Sequence, residues 1–158
     1  TPYSKMAQDF NRENLIELLA GKGIKYLFMG DQIGGRSNDP DCISEGRVNY
    51  DSLARSADFQ EGFTRLLKGS NDYTIALMCS EKEPLICHRT ILISRYLIDA
   101  SITVKHILGD GTLEEHNKSV ERLLQEEDIS EDLLRSQDEV VLDAYKAREK
   151  KIAYKIGN

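Results

Sequence analysis

The chain has 158 residues, 40% of them hydrophobic and 30% charged, with a formal net charge of −6. That length suits one domain able to bury a core without disulfides or a metal, and no run of about eighteen apolar residues exists to span a membrane. The acidity argues against charge-driven binding to duplex nucleic acid.

No basic-then-apolar leader opens the chain, so a cytoplasmic location is expected. Cys42, Cys79 and Cys87 are odd in number and irregularly spaced. They do not form a disulfide framework and are expected as free thiols. The organisation expected is a single domain, with an α/β core over about residues 1–110 and a helical tail over about 111–158.

Residues 1–5 read as loop. A helix follows, with Asn11 as its cap and Phe10 and Leu15 placed to form a hydrophobic staple. Gly21 and Gly23 end it. Residues 24–29 are short, apolar and bounded by glycines, which predicts a strand. Residues 30–36 form a glycine-rich turn directly after it. The polar stretch to about Tyr50 is long enough for a functional loop.

Ser56 can cap a second helix, with Phe59, Phe63, Leu66 and Leu67 at helical spacing and Gly69 as its stop. Residues 73–79 are almost wholly apolar, as a central strand covered on both faces must be. A charged loop with Pro84 leads to a third helix, from about Cys87 to Asp99. Residues 102–108 predict a third strand, turned by Gly109-Asp110-Gly111.

Thr112 and Glu115 match a capping box for a further helix. Residues 110–143 hold twelve acids against three bases, and from Ala144 on five bases face one acid. Asp138 can cap a last helix ending near Gly157. Its basic side is read as a solvated face bridging to the acidic segment. Strands alternating with helices predict an α/β fold: three α/β/α layers, a small mostly parallel sheet and a helical C-terminal tail.

Chemistry concentrates in Cys79-Ser80-Glu81 and Cys87-His88-Arg89. Ligands of open α/β sheets bind beyond the carboxyl ends of strands, where this segment falls. A helix start attracts anions and favours thiolate, and Arg89 adds a forked cation. Glu81, Cys87 and His88 are the candidate catalytic groups. Gly34, Gly35, Arg36, Cys79 and Arg89 are the candidate ligand-binding groups. Gly34 and Gly35 would let backbone N–H groups approach an anion, with Arg36 at the same edge.

Each has a structural alternative. Cys79 and Cys87 can be small packed hydrophobes, His88 a packed or exposed imidazole, and Arg89 a clamp on a carboxylate such as Glu81. The glycines can simply serve a tight turn. A zinc site from Cys79, Cys87 and His88 is conceivable. Adjacent Cys and His seldom chelate one ion together, and no Cys-x-x-Cys pair is present, so no metal and no cofactor is expected.

These motifs, in this order, resemble the bacterial and archaeal domain of unknown function 488 family. The matching stretches are Pro2-Tyr3-Ser4-Lys5 with Phe10, residues 23–31, Ile33-Gly34-Gly35-Arg36, and Gly46-Arg47-Val48-Asn49-Tyr50 with Phe59. Ala76-Leu77-Met78-Cys79 with Glu81, Cys87-His88-Arg89, and Val104-Lys105-His106-Ile107 complete them. Members of that family carry an earlier Gly-His-Ser segment, a helix and a strand ending in Asp-Val-Arg. The resemblance therefore implies that this chain lacks the usual N-terminal strand. It also implies a small α/β domain with Arg36, Cys79, Glu81, Cys87, His88 and Arg89 gathered at one pole.

The function expected is a site for a small anionic ligand, a nucleotide or other phosphate-bearing molecule, acting by binding or catalysis. The alternative is a non-enzymatic ligand-sensing or protein-interaction module. Neither membrane nor nucleic acid is expected as a partner, and nothing in the sequence sets an oligomeric state.

Overall fold

A computed structural model of the chain describes residues 2–5, 7–130 and 134–157. Thr1, part of the expected opening loop, and residues 131–133 of the acidic segment lie outside the described residues. Helices α1 (Arg12–Ala20), the single turn α2 (Gly30–Ile33), α3 (Tyr50–Arg55) and α4 (Ala57–Ser70) form the first half. α5 (Arg95–Asp99), α6 (His116–Glu126) and α7 (Gln137–Ile152) form the second. Four short strands, β1 (Ile43–Ser44), β2 (Arg47–Val48), β3 (Lys105–Ile107) and β4 (Leu113–Glu115), make two antiparallel hairpins.

The fold is thus mixed helix and strand, but the sheets among the described residues are antiparallel, not mostly parallel as expected. Residues 24–29 and 73–79 run without regular structure and join no ladder there. Ile24, Leu27, Tyr73, Ile75 and Met78 stay exposed, so residues 73–79 are not a strand covered on both faces. The apolar pattern favours extended chain, but a strand also needs a neighbour's N–H and C=O groups, which one segment cannot encode. Only the third expected strand pairs, with β3 against β4 in the register His106 to Glu114.

The amides of residues 25–28 and 74–79 donate to no backbone carbonyl among the described residues. They should therefore exchange with deuterium in the fastest class, orders of magnitude ahead of α4 and residues 91–97. Protection equal to that of α4, seen by mass spectrometry, would mean that these segments have ladder partners.

Capping explains most helix limits. Ser56 accepts from the Phe59 amide and starts α4, which ends at Ser70, just past Gly69. α1 starts after Asn11, but that side chain accepts from the Ser4 amide at 2.6 Å instead of capping. Phe10 is exposed, so no buried staple forms. α7 is capped by Ser136 in a reciprocal box with Glu139, not by Asp138, and stops at Ile152. Glu115 precedes α6 without a side-chain cap, and the Thr112 amide bonds to Asp110, so the expected Thr112–Glu115 box is absent. β1 turns into β2 through Glu45 and Gly46, both at positive φ (52° and 72°). A Cβ at Gly46 would strain that turn.

One core joins Phe59 and Leu66 of α4, Leu85, Ile91 to Ile93, Leu97, Leu123 of α6, and Ala144 and Tyr145 of α7. The last helices are therefore part of the core, with Ala144 fully buried. The acidic and basic segments meet as the sequence suggests. Arg148 donates to Glu126 at 2.8 Å and Glu127 at 2.6 Å, and Lys151 to Glu127 at 2.6 Å. Arg148 is buried, however, and also donates to the Leu85 carbonyl. After α7 the chain returns to the first hairpin, where the Val48 amide donates to the Tyr154 carbonyl.

Candidate functional site

Cys79 stands at the end of the irregular segment 73–79. Glu83 then caps a short 3-10 turn, Pro84–Ile86, by accepting from the Leu85 amide. Arg122 donates to Glu83 at 2.9 Å and forks onto Glu114, tying this loop to β4 and α6. Cys87 is extended (φ −123°, ψ 137°) and His88 is helical (φ −58°, ψ −23°). That change of backbone lets two adjacent side chains face one point, which the sequence argument against joint chelation did not foresee. A π-helical turn, Arg89–Ser94, follows before α5. Such turns occur mostly as local irregularities, often at functional sites.

One ligand-type atom each from Cys79, Glu81, Cys87 and His88 lies within 4.8 Å of the others. Cys79 Sγ is 2.5 Å from Glu81 Oε2, closer than an ordinary thiol hydrogen bond. It lies 3.5 Å from His88 Nδ1. Cys87 Sγ is 3.8 Å from Glu81 Oε2 and 3.9 Å from His88 Nδ1. Cys87 is buried, and the other three are half-buried.

Arg89 is in the cluster, but its guanidinium points inward. Nε donates to Cys87 Sγ at 3.1 Å, and the two terminal nitrogens donate to the carbonyls of Leu77 (3.1 Å) and Glu81 (2.8 Å). The sequence alternative of a clamp is what this geometry describes, although the acceptors are backbone carbonyls and not the Glu81 carboxylate.

The two loops meet. A Cβ on Gly35 would lie 2.8 Å from Cβ and Cγ of His88, so only glycine allows this approach without a shift. Gly34 lies just after α2, and α2 packs on α4. Arg36 is exposed, with its guanidinium over the Tyr154 ring at 4.7 Å.

The two thiols titrate as a pair. The hydrogen bond with Cys87 holds the Cys79 thiol far below its usual range, burial opposes this, and contacts with His88 and Glu81 add to it. Cys87 is pushed up, first by Cys79 and then by burial, against two Arg89 N–H groups. The first proton therefore leaves easily, and the second is held.

The sequence reading gave Tyr50 no role here, yet its buried phenol feels this cluster. Burial raises it first, then Glu149, then Cys87, Glu81 and Cys79. Its place at the end of the Gly46-Arg47-Val48-Asn49-Tyr50 motif was the only available signal.

Two surface clefts share no residue with the cluster. One is lined by Gln60, Glu61, Thr64, Arg65 and Lys68, the other by Asn38, Pro40, Ile43, Gly46 and Ile156. Among the described residues no helix is long and apolar enough to cross a membrane. The sequence model of a family described as domain of unknown function DUF488 matches residues 1–96. No curated protein and no solved structure matches the chain.

Proposed function

Because the chain belongs to the DUF488 family, whose description assigns no activity, we propose from its own residues that it acts on a small anionic molecule where Cys79, Glu81, Cys87 and His88 meet. A nucleotide or other phosphate-bearing compound is the substrate class. Cys79 is the electron-pair donor once its proton has left, Glu81 and His88 relay protons, and Cys87 keeps its own proton. Gly34, Gly35 and Arg36 form the rim for the anionic group, and Arg89 holds the cluster in shape. The observation that carries this reading is the convergence of two thiols, a carboxylate and an imidazole within 4.8 Å, with Cys87 buried and the other three half-buried.

Iodoacetamide tests it. At neutral pH Cys79 should be alkylated at least about ten times faster than Cys42 or Cys87, read by peptide mass spectrometry. Nucleotides or inorganic phosphate should slow that labelling. Equal rates at the three cysteines would overturn the chemistry, and labelling indifferent to phosphate compounds would remove the anionic substrate.

A non-enzymatic interaction module is the second reading. It is favoured by the exposed apolar side chains on residues 24–29 and 73–79, where a partner strand could add to backbone whose amides have no ladder bonds among the described residues. A partner bound there would slow deuterium exchange in both segments.

A further inference from the structure

We infer that Cys79, Cys87 and His88 bind a zinc ion, with the Glu81 carboxylate closing its fourth position. This rests on the reading of the cluster as the working site, and it identifies the acceptor of the Cys79 electron pair as a metal.

The distances fit a tetrahedron. With Zn–S near ~2.3 Å and Zn–N near ~2.05 Å, the edges of a tetrahedral site are about 3.8 Å between sulfurs and about 3.5–3.6 Å between sulfur and nitrogen or oxygen. Cys79 Sγ to His88 Nδ1 is 3.5 Å, Cys87 Sγ to Glu81 Oε2 is 3.8 Å, and Cys87 Sγ to His88 Nδ1 is 3.9 Å. Of these four edges, that between Cys79 and Glu81, at 2.5 Å, is too short. That pair must part by about 1 Å to become an edge of the site. The thiol protons pass to solvent as zinc binds, and no oxidant or reductant takes part.

The charges fit as well. A dication against two thiolates, one carboxylate and a neutral imidazole leaves one net negative charge. The Arg89 guanidinium, which donates from Nε to Cys87 Sγ, cancels it. Half-buried surroundings make that balance matter. Two thiolates and an imidazole are soft and borderline donors, which select zinc over calcium or magnesium.

The donors are also held. Arg89 fixes the Cys87 sulfur and the Leu77 and Glu81 carbonyls, and the Gly35 backbone packs against the His88 ring. Outer contacts of this kind orient metal ligands. The carboxylate is the one oxygen donor of the four, a weaker zinc ligand than thiolate, and it sits on a loop between exposed Ser80 and Lys82. It is therefore the ligand that a substrate anion or water would displace, giving an open position on the metal.

The test uses the full chain, stripped with chelator and titrated with Co²⁺ and then Zn²⁺. One equivalent of Co²⁺ should give the intense visible bands of a tetrahedral site and a sulfur-to-cobalt charge-transfer band, both discharged by Zn²⁺. Cys79→Ser and Cys87→Ser should each weaken binding roughly hundred-fold or more. Cys42→Ala should leave the bands unchanged. One equivalent of Zn²⁺ on the native chain should block Cys79 alkylation, which supplies a readout even if the serine variants fail to fold.

Absence of tetrahedral bands, or bands that persist in Cys79→Ser, overturns the inference. Absent bands with Cys79 still labelled fastest leave the proposed working site standing and reject the metal alone. Absent bands with equal labelling of the three cysteines reject both.

Discussion

Arg89→Ala should lower stability by about 2–4 kcal/mol and take the thiol cluster apart. Three N–H groups of that guanidinium each hold a different partner: Cys87 Sγ, the Leu77 carbonyl and the Glu81 carbonyl. Residues 74–79 have no ladder bonds from their amides among the described residues, so the bond to Leu77 is one of their few polar attachments. Alanine leaves two carbonyls and a buried sulfur without these donors. The carbonyls belong to half-buried residues that water can reach, which keeps the loss at a few kcal/mol.

Arg89→Lys separates charge from shape. An ammonium keeps the positive charge but cannot span three acceptors in a planar fork, so lysine should recover less than half of the lost stability. Urea midpoints at constant m-value measure both variants, and Cys87 alkylation reports the opening of the cluster. Native stability in Arg89→Lys would show that the fork holds nothing.

The site was more legible than the fold because its residues are close in sequence. Cys79 and Glu81 are two residues apart, and Cys87 to Arg89 are consecutive, so one turn back of the chain is enough to collect them. The detail that escaped was local: extended Cys87 next to helical His88 puts two neighbours on one side. The joining of Gly35 to His88 was legible only as two loops after two apolar segments.

Helices were readable where a cap and a periodic face coincided, as at Ser56 with Phe59 and Leu66. The sheet was not readable, because pairing is a relation between segments. Residues 24–29 have the strand pattern and no ladder partner among the described residues, whereas Leu113 to Glu115 resemble a helix start and pair with β3. Glu45-Gly46 was a turn signal between Ile43 and Val48, hidden by strands of only two residues each.

The buried histidines make a second large effect, and sequence spacing gave no sign of them. His106 on β3 and His116 at the start of α6 face each other, Nε2 to Nδ1 at 2.9 Å, and His116 Nε2 is 2.9 Å from the Tyr145 hydroxyl on α7. Burial, aided by the neighbouring His106, lowers His116 to about 4, and burial also lowers His106. Between pH 6.5 and 4 the unfolded chain therefore binds a proton that the folded chain refuses, and acid favours unfolding.

The contribution of His116 is complete above pH 6.5 and falls by about 3 kcal/mol as pH drops toward 4. Glu114 and Glu127, whose carboxyls are held below the usual range by their Arg and Lys partners, lose their contributions only at lower pH. Glu149 is raised by burial and opposes the trend, since the folded chain takes up its proton first. Urea midpoints at pH 7 and pH 5 isolate the imidazoles: the native chain should lose stability across that interval, and His116→Asn should lose much less. An unchanged native midpoint would mean that the His106–His116–Tyr145 chain accepts a proton without cost, which its burial on three elements argues against.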